Sequence, residues 1–234
     1  MESYVLQNLE ASGFAVIENV FSTEETDKLI SAIKIAAQDK ENFRKSNDLF
    51  AIRNLLGEIP EIKNLIQTSN FRDIVSQLPG GKYFVTKAIY FDKPEHSNWS
   101  VAWHQDKTIS VDRRMTINGF GPWTLKQGLQ SVQPTLEYLQ NICAIRIHLD
   151  DCDETNGALK VVPGSHIKGI IPDAEYFDYT PSSKIVEVKR GGVMLMKPLL
   201  LHSSHKSIST NNRRVIHLEF SSMELPAGLQ WRER

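Results

Sequence analysis

Cysteine is scarce in this chain: two residues, Cys143 and Cys152, in 234. Two thiols at no metal-ligand spacing, one in an apolar run and one in an acidic loop, exclude a disulfide scaffold and a cysteine-rich zinc module; free thiols in a reducing, cytoplasmic setting are expected. Charge of one sign is also lacking. Lysine and arginine number 27 against 28 acidic residues, a net charge of -1, and no long run of either sign occurs, so neither nucleic acid nor an anionic membrane is an expected partner. No stretch approaches the 18 or so apolar residues of a membrane span, and Met1 to Tyr4 carries neither a basic nor a long apolar leader. Internal repeats and low-complexity tracts are absent too.

What is present is a hydrophobic fraction of 41%, enough for one globular domain over residues 1–234 with its own core. Residues 1–80 read as mostly helical support. Gly13 to Phe21 is rich in β-branched and aromatic residues and predicts a strand. Ser22 with Glu25 forms a capping box that opens a helix over about 23–38. Residues 47 to 78 carry apolar positions at a helix-like period, broken by Gly57 and Pro60, and predict two or three short helices. After Pro79-Gly80-Gly81 the pattern turns to short strands, expected at 83–91, about 99–103, 142–150, 157–162, 184–188, 192–196, 199–202 and 213–221. Many short strands at close spacing predict a mainly β sandwich or barrel over 81–234, flanked by the α-helices of the N-terminal third. The connection over 107–134, above all Asp112 to Pro134, is too long for an ordinary turn and is a candidate lid.

The chemistry-bearing residues lie about a hundred positions apart. In Trp103-His104-Gln105-Asp106, an extended segment puts His104 and Asp106 on one side, about 6.5–7 Å apart at Cα, so an imidazole and a carboxylate can converge on one ion. A third imidazole completes two histidines and one carboxylate, the facial triad of non-haem iron sites. Gly191 to His202 supplies one: an apolar strand ending abruptly in a histidine. Eleven residues later Arg213 opens another strand, and if the two pair as neighbours its guanidinium returns near His202, where it can grip a carboxylate with two parallel hydrogen bonds. Parity separates Arg213, Val215, His217 and Glu219 from Arg214, Ile216, Leu218 and Phe220. The first face is the more polar and favours Arg213.

These pieces together resemble the phytanoyl-CoA dioxygenase family, iron(II)- and 2-oxoglutarate-dependent oxygenases with a double-stranded β-helix, or cupin-like jelly roll. The resemblance is carried by Gly13 to Phe21 with its helix, by His104-Gln105-Asp106, by the run from His148 through Gly157 to Pro163-Gly164-Ser165-His166, and by His202, Ser204 and Arg213. It implies that His104, Asp106 and His202 are catalytic iron ligands, that Arg213 assisted by Ser204 holds the distal carboxylate of 2-oxoglutarate, and that O2 is the second cosubstrate. Related halogenases replace the carboxylate ligand with a small residue, so Asp106 argues for hydroxylation or desaturation of a small organic molecule, with release of succinate and CO2. Lys87, within an apolar strand, is a further candidate for cofactor contact. Arg146, which shares a face with His148, and Trp123, in the lid, are candidate substrate residues; a pocket-facing Arg146 favours an acidic substrate. Trp99 and Trp103 are candidate pocket walls, His166 a structural residue, His205 a rim residue. A competing reading, a metal- and 2-oxoglutarate-binding sensor without turnover, needs the same ligand set. A monomer or homodimer is expected.

Overall fold

A computed structural model of the protein describes residues 3–39, 44–45, 50–93, 99–126 and 128–234. The strands are β1 (Phe14–Ile17), β2 (Arg44–Lys45), β3 (Phe50–Arg53), β4 (Phe84–Lys93), β5 (Val101–His104), β6 (Ile109–Val111), β7 (Trp123–Lys126), β8 (Leu129–Val132), β9 (Cys143–His148), β10 (Leu159–Val161), β11 (Lys184–Val186), β12 (Val193–Met196), β13 (His202–Ser204) and β14 (Arg213–Ser221). The α-helices are α1 (Ser3–Ser12), α2 (Thr23–Asp39), α3 (Leu55–Glu58), α4 (Pro60–Leu65), α5 (Ser69–Ser76), α6 (Leu136–Asn141) and α7 (Tyr176–Tyr179). Among the described residues no helix is long and apolar enough to cross a membrane.

A seven-stranded sheet in the order β1-β12-β9-β14-β4-β3-β2 faces a four-stranded sheet, β11-β10-β13-β5, in a double-stranded β-helix. Period-two alternation gives the larger sheet two different faces. From its outer face Ile52, Tyr90, Ile145, Ile147, Ile216 and Leu218 pack under Leu9, Leu29, Ile33, Ile62 and Phe71, which the helices contribute. The inner face packs Ala144, Met194 and Met196 against Leu159, Val161 and Val186 of the smaller sheet, and elsewhere it mixes polar side chains with Ile89 and Phe91.

The predicted capping box is present: the Ser22 N–H donates to Glu25 Oε2 (2.7 Å) and the Glu25 N–H to Ser22 Oγ (3.1 Å). Within 47–78 the expected helices form as α3, α4 and α5, but residues 50–53 are a strand whose register runs from Phe50↔Asp92 to Arg53↔Ile89. Four residues of alternating pattern are too short for periodicity to separate from a helix turn. Helix α1 went unrecognised from sequence for want of a cap signal. The strand expected at 199–202 begins only at His202; Leu199 to Leu201 form the turn before it.

Residues 107–134 correct a second expectation. They are not one long loop. They build a three-stranded sheet, β6-β8-β7, with its own apolar cluster of Ile109, Val111 and Val132 against Ile142, Leu225, Leu229 and Trp231. Residues 229–234 strap this sheet to β4: Trp231 bridges Val111, the Arg232 N–H donates to Ser110 O (3.2 Å), and Glu233 Oε2 accepts from the Ala88 N–H (2.7 Å), at the stretch of β4 that β3 leaves unpaired.

Candidate active site

His104 ends β5 and His202 opens β13, and these two strands are antiparallel neighbours with His202 opposite His104. Their rings lie 4.1 Å apart between centroids. Each imidazole is anchored in the same way: His104 Nδ1 donates to the Ala102 carbonyl (2.9 Å) and His202 Nδ1 to the Leu200 carbonyl (2.8 Å). A carbonyl can only accept, so the proton sits on Nδ1 and each Nε2 presents a lone pair. Asp106 stands between them, 3.7 Å from His104 Nε2 through Oδ1 and 3.9 Å from His202 Nε2 through Oδ2. All three donors fall within 4.8 Å of one another. Two imidazole nitrogens and one carboxylate, with ring protons turned away, fit a divalent transition metal.

The loop that carries Asp106 is fixed by backbone and by one side chain that sequence reasoning passed over. The Asp106 N–H donates to Pro198 O (2.9 Å). Gln105, buried, donates to Gly169 O and Leu199 O and accepts from the Ile171 N–H. The two halves of the triad are thereby tied together before any ion arrives. Burial pushes the Asp106 carboxyl up, but His202, His104 and Lys87 outweigh it and bring it down to about 2. Burial lowers His202 to about 4, against the pull of Asp106.

The opposite wall of the cavity, which has a volume of about 200 Å³, is the inner face of the large sheet. Here the expected geometry needs correction. β13 and β14 do not pair; they belong to opposing sheets, because successive strands of a jelly roll alternate between layers. Arg213 reaches the cavity across the sandwich. It is 2% exposed, and its Nε and Nη1 have no hydrogen-bond partner among the described residues. Arg214, on the other face, forms a two-pronged contact with Asp150 (Nε–Oδ2 2.7 Å, Nη2–Oδ1 2.5 Å). The parity argument therefore picks the arginine that faces inward, and the one register shift in the β14–β4 pair falls beyond Glu219, past the site.

Further along the same face, Lys87 Nζ donates to Glu219 Oε1 (2.8 Å). Arg146 Nη1 donates to His217 Nδ1 (3.3 Å), which leaves His217 Nε2 to donate to Glu219 Oε1 (3.4 Å). Burial works against the charge on Lys87, yet Glu219 and Asp106 outweigh it and raise it above the ordinary lysine range. Glu219 and His217 carried no role in the sequence reading; the polar parity of β14 was the signal that could have found them. Arg146 and His148 are buried rather than solvent-facing. Ser204 lines the cavity with Arg213, and Phe91, Trp99, Val101 and Leu159 supply its apolar wall.

Two aromatic expectations fail. Trp103 follows the alternation of β5 away from His104 and packs on the cluster of Val162, Ile171, Tyr176 and Leu201. Trp123 lies in β7 against the core of the three-stranded sheet and does not line the cavity. Trp99 does, stacked on Phe91 with ring centroids 6.3 Å apart. His166 is structural as expected, bonded through Nε2 to Glu10 O (3.0 Å). Gly157 has a φ of +87°, and a Cβ there would lie 2.5 Å from Lys93 Nζ and 2.8 Å from His205 O. Lys93 is buried beneath it and donates to the same carbonyl. The positive φ thus serves close approach as well as the turn.

Comparison with known proteins identifies the family and the fold. The ectoine dioxygenase of Bordetella bronchiseptica is 23% identical over 251 residues, covering 94% of this chain and 75% of that protein. The carbocyclase SnoK from nogalamycin biosynthesis, described as non-haem and α-ketoglutarate-dependent, superposes with a TM-score of 0.73 at 16% identity, covering 100% of this chain and 87% of its own. HygX from Streptomyces hygroscopicus, solved with nickel, 2-oxoglutarate and hygromycin B bound, gives a TM-score of 0.68 at 16% identity over 94% of this chain and 87% of its own. Residues 9–215 match the family described as phytanoyl-CoA dioxygenase. The chain belongs to that family and is a non-haem iron, 2-oxoglutarate-dependent dioxygenase.

Proposed function

We propose that His104, Asp106 and His202 hold the iron, that Arg213 with Ser204 takes the distal carboxylate of 2-oxoglutarate, and that the enzyme hydroxylates or desaturates a C–H bond of a small organic molecule. The observation that carries this reading is the pairing of two imidazoles whose Nε2 atoms converge on Asp106 with a buried arginine, Arg213, whose Nε and Nη1 lack an acceptor among the described residues. A buried guanidinium without a counter-charge is costly, and a carboxylate with two oxygens in plane is its best partner.

Iron(II) with 2-oxoglutarate and O2 supplies an oxidant strong enough for unactivated C–H bonds, with release of succinate and CO2. The protein's own residues set the conditions for it. Carbonyls of Ala102 and Leu200 keep both histidines in the ligating tautomer. Asp106, ionised across the working pH range, fills the carboxylate position, which leaves no room for halide and favours oxygen chemistry. Arg213 fixes one end of the cosubstrate, so its other end is presented to the metal in one orientation. Phe91, Trp99, Val101 and Leu159 exclude water and hold the substrate's carbon skeleton.

The test is anaerobic addition of Fe(II) and 2-oxoglutarate, which is expected to give the charge-transfer absorption of such chelates; a correctly folded protein that gives none overturns the assignment. Ectoine is the first substrate to try, since an ectoine dioxygenase matches along most of the chain, with succinate formation as the readout.

A further inference from the structure

Among the described residues, the inner face of the large sheet carries four buried or half-buried cationic side chains, and they differ in what faces them. Lys87 is paired with Glu219. Lys93 is bonded to the His205 carbonyl and lies over the Trp99 ring, 5.3 Å from its centroid. Arg213 and Arg146 have no carboxylate within 4 Å among the described residues. Arg146 is 7% exposed. Among the described residues it makes one hydrogen bond, to His217 Nδ1, and its Nε is buried without a partner.

Register places the two arginines at different ends of the cavity. Arg146 is opposite His217, four residues along β14 from Arg213, so the two backbone positions lie about 13 Å apart along the strands. The Arg146 row is also the end at which His217 and Glu219 approach Asp106 to within 4.8 Å. By backbone position, the Arg213 row thus lies away from the triad and the Arg146 row beside it. Once Arg213 has the distal carboxylate, the near carboxylate of the cosubstrate and Asp106 offset the charge of a divalent metal, and Arg146 is left as the one uncompensated cation of the cavity among the described residues.

We infer that Arg146 is the substrate-binding residue and that the substrate is a small carboxylic acid, its carboxylate held on the free edge of the Arg146 guanidinium and its carbon skeleton against Phe91, Trp99 and Val101. The inference rests on the assignment of Arg213 to 2-oxoglutarate. His217 and Glu219 act through Arg146: the chain Arg146–His217–Glu219–Lys87 fixes the guanidinium from one side and leaves Nε to the ligand. The cavity of about 200 Å³ is smaller than most ligand sites and takes the cosubstrate as well, so the acid that shares it is compact.

The experiment uses the full chain loaded anaerobically with Fe(II) and excess 2-oxoglutarate, with acetate, propanoate and benzoate as probes and their primary amides as neutral matches. Binding is read from paramagnetic broadening of the probe protons. Saturable binding of at least one acid is expected, with its amide at least tenfold weaker, and Arg146→Met is expected to weaken the acid tenfold or more, the range of a lost charge-assisted hydrogen bond. The 2-oxoglutarate affinity, from titration of the charge-transfer band, should change less than threefold in that variant. Equal binding of acid and amide, no saturable binding of any acid, or unchanged acid affinity in Arg146→Met overturns the inference. A tenfold loss of 2-oxoglutarate affinity in Arg146→Met also overturns it, by giving Arg146 to the cosubstrate. Absence of the charge-transfer band in the folded wild type sinks the cosubstrate assignment first. Should Arg146→Met not fold, the acid–amide comparison in the wild type decides alone, with Arg146→Lys, which keeps charge but not the planar fork, expected between wild type and loss.

Discussion

Strand β14 presents two faces that burial alone does not distinguish. Ile216, Leu218 and Phe220 are 0%, 0% and 3% exposed on the outer face; Arg213, His217 and Glu219 are 2%, 5% and 4% exposed on the inner. The outer set is in contact with helix side chains and lacks nothing. The inner set is a hydrogen-bonded row that ends in donors without acceptors. One strand therefore carries both the fold and the site, and the division between them runs residue by residue along its pleat. Changes on the inner face should cost ligand binding, and changes on the outer face should cost stability.

The largest effect is expected across the cavity, at the triad. His202→Ala should lose bound iron by at least a hundredfold, measured as metal content after anaerobic loading, with circular dichroism unchanged; stoichiometric iron in that variant would break the assignment. Next is Leu218→Ala on the outer face, expected to cost about 2–5 kcal/mol in chemical denaturation, as fully buried leucines do. The folded fraction should still bind 2-oxoglutarate normally, and a selective loss of binding would show that the two faces are not separable. Arg213→Met should weaken 2-oxoglutarate by about ten- to a hundredfold, read from the charge-transfer band, while Arg214→Met stays within threefold. The same Arg213 variant should not lose stability, since it removes a buried charge that the protein itself leaves unpaired.

The smallest effect concerns the strap at Ala88. Burial pushes the Glu233 carboxyl up to about 7 from 4.5, the Ala88 N–H offsetting this only in part. The folded protein thus keeps a proton that the unfolded chain has released, so this group's contribution to stability falls as pH rises from about 4.5 to about 7. Glu233→Gln retains an oxygen for the Ala88 N–H and cannot ionise. Its stability relative to wild type should rise across that window by on the order of 1–3 kcal/mol, seen as a flatter plot of Tm against pH. A parallel plot would mean that Glu233 titrates as a surface residue.

The parts legible in the sequence were those with a local signature. The capping box at Ser22 and the strand alternation around Arg213 each depend on a few adjacent residues, and each was found where expected. His104, Asp106 and His202 were brought together by recognising a pattern, and the structure adds the reason they meet: β5 and β13 are neighbours. What escaped was set by long-range packing. Strand β3 exists because β4 offers an edge, Trp123 is turned from the cavity by a sheet invisible in its own segment, and Arg146 is buried because β9 is central. Gln105, enclosed between two ligands, gave no sign that its amide would stitch two distant loops.

The pairing of β14 has a consequence for how the chain reaches this state. Its neighbours on either side come from residues 84–93 and 143–148, yet β14 itself is residues 213–221, and β1 waits for β12 nearly 180 positions later. During synthesis the first two thirds of the chain emerge with β4 and β9 lacking the strand that joins them. Contacts so distant in sequence make folding slow, and until β14 arrives the inner face is an open row of unpaired strand edges and buried-type cations. Arg146 on β9 and Lys87 on β4 place charge on that half-built sheet and discourage its pairing with a neighbour, so the charge that awaits a ligand at the end keeps the growing chain apart from its copies on the way.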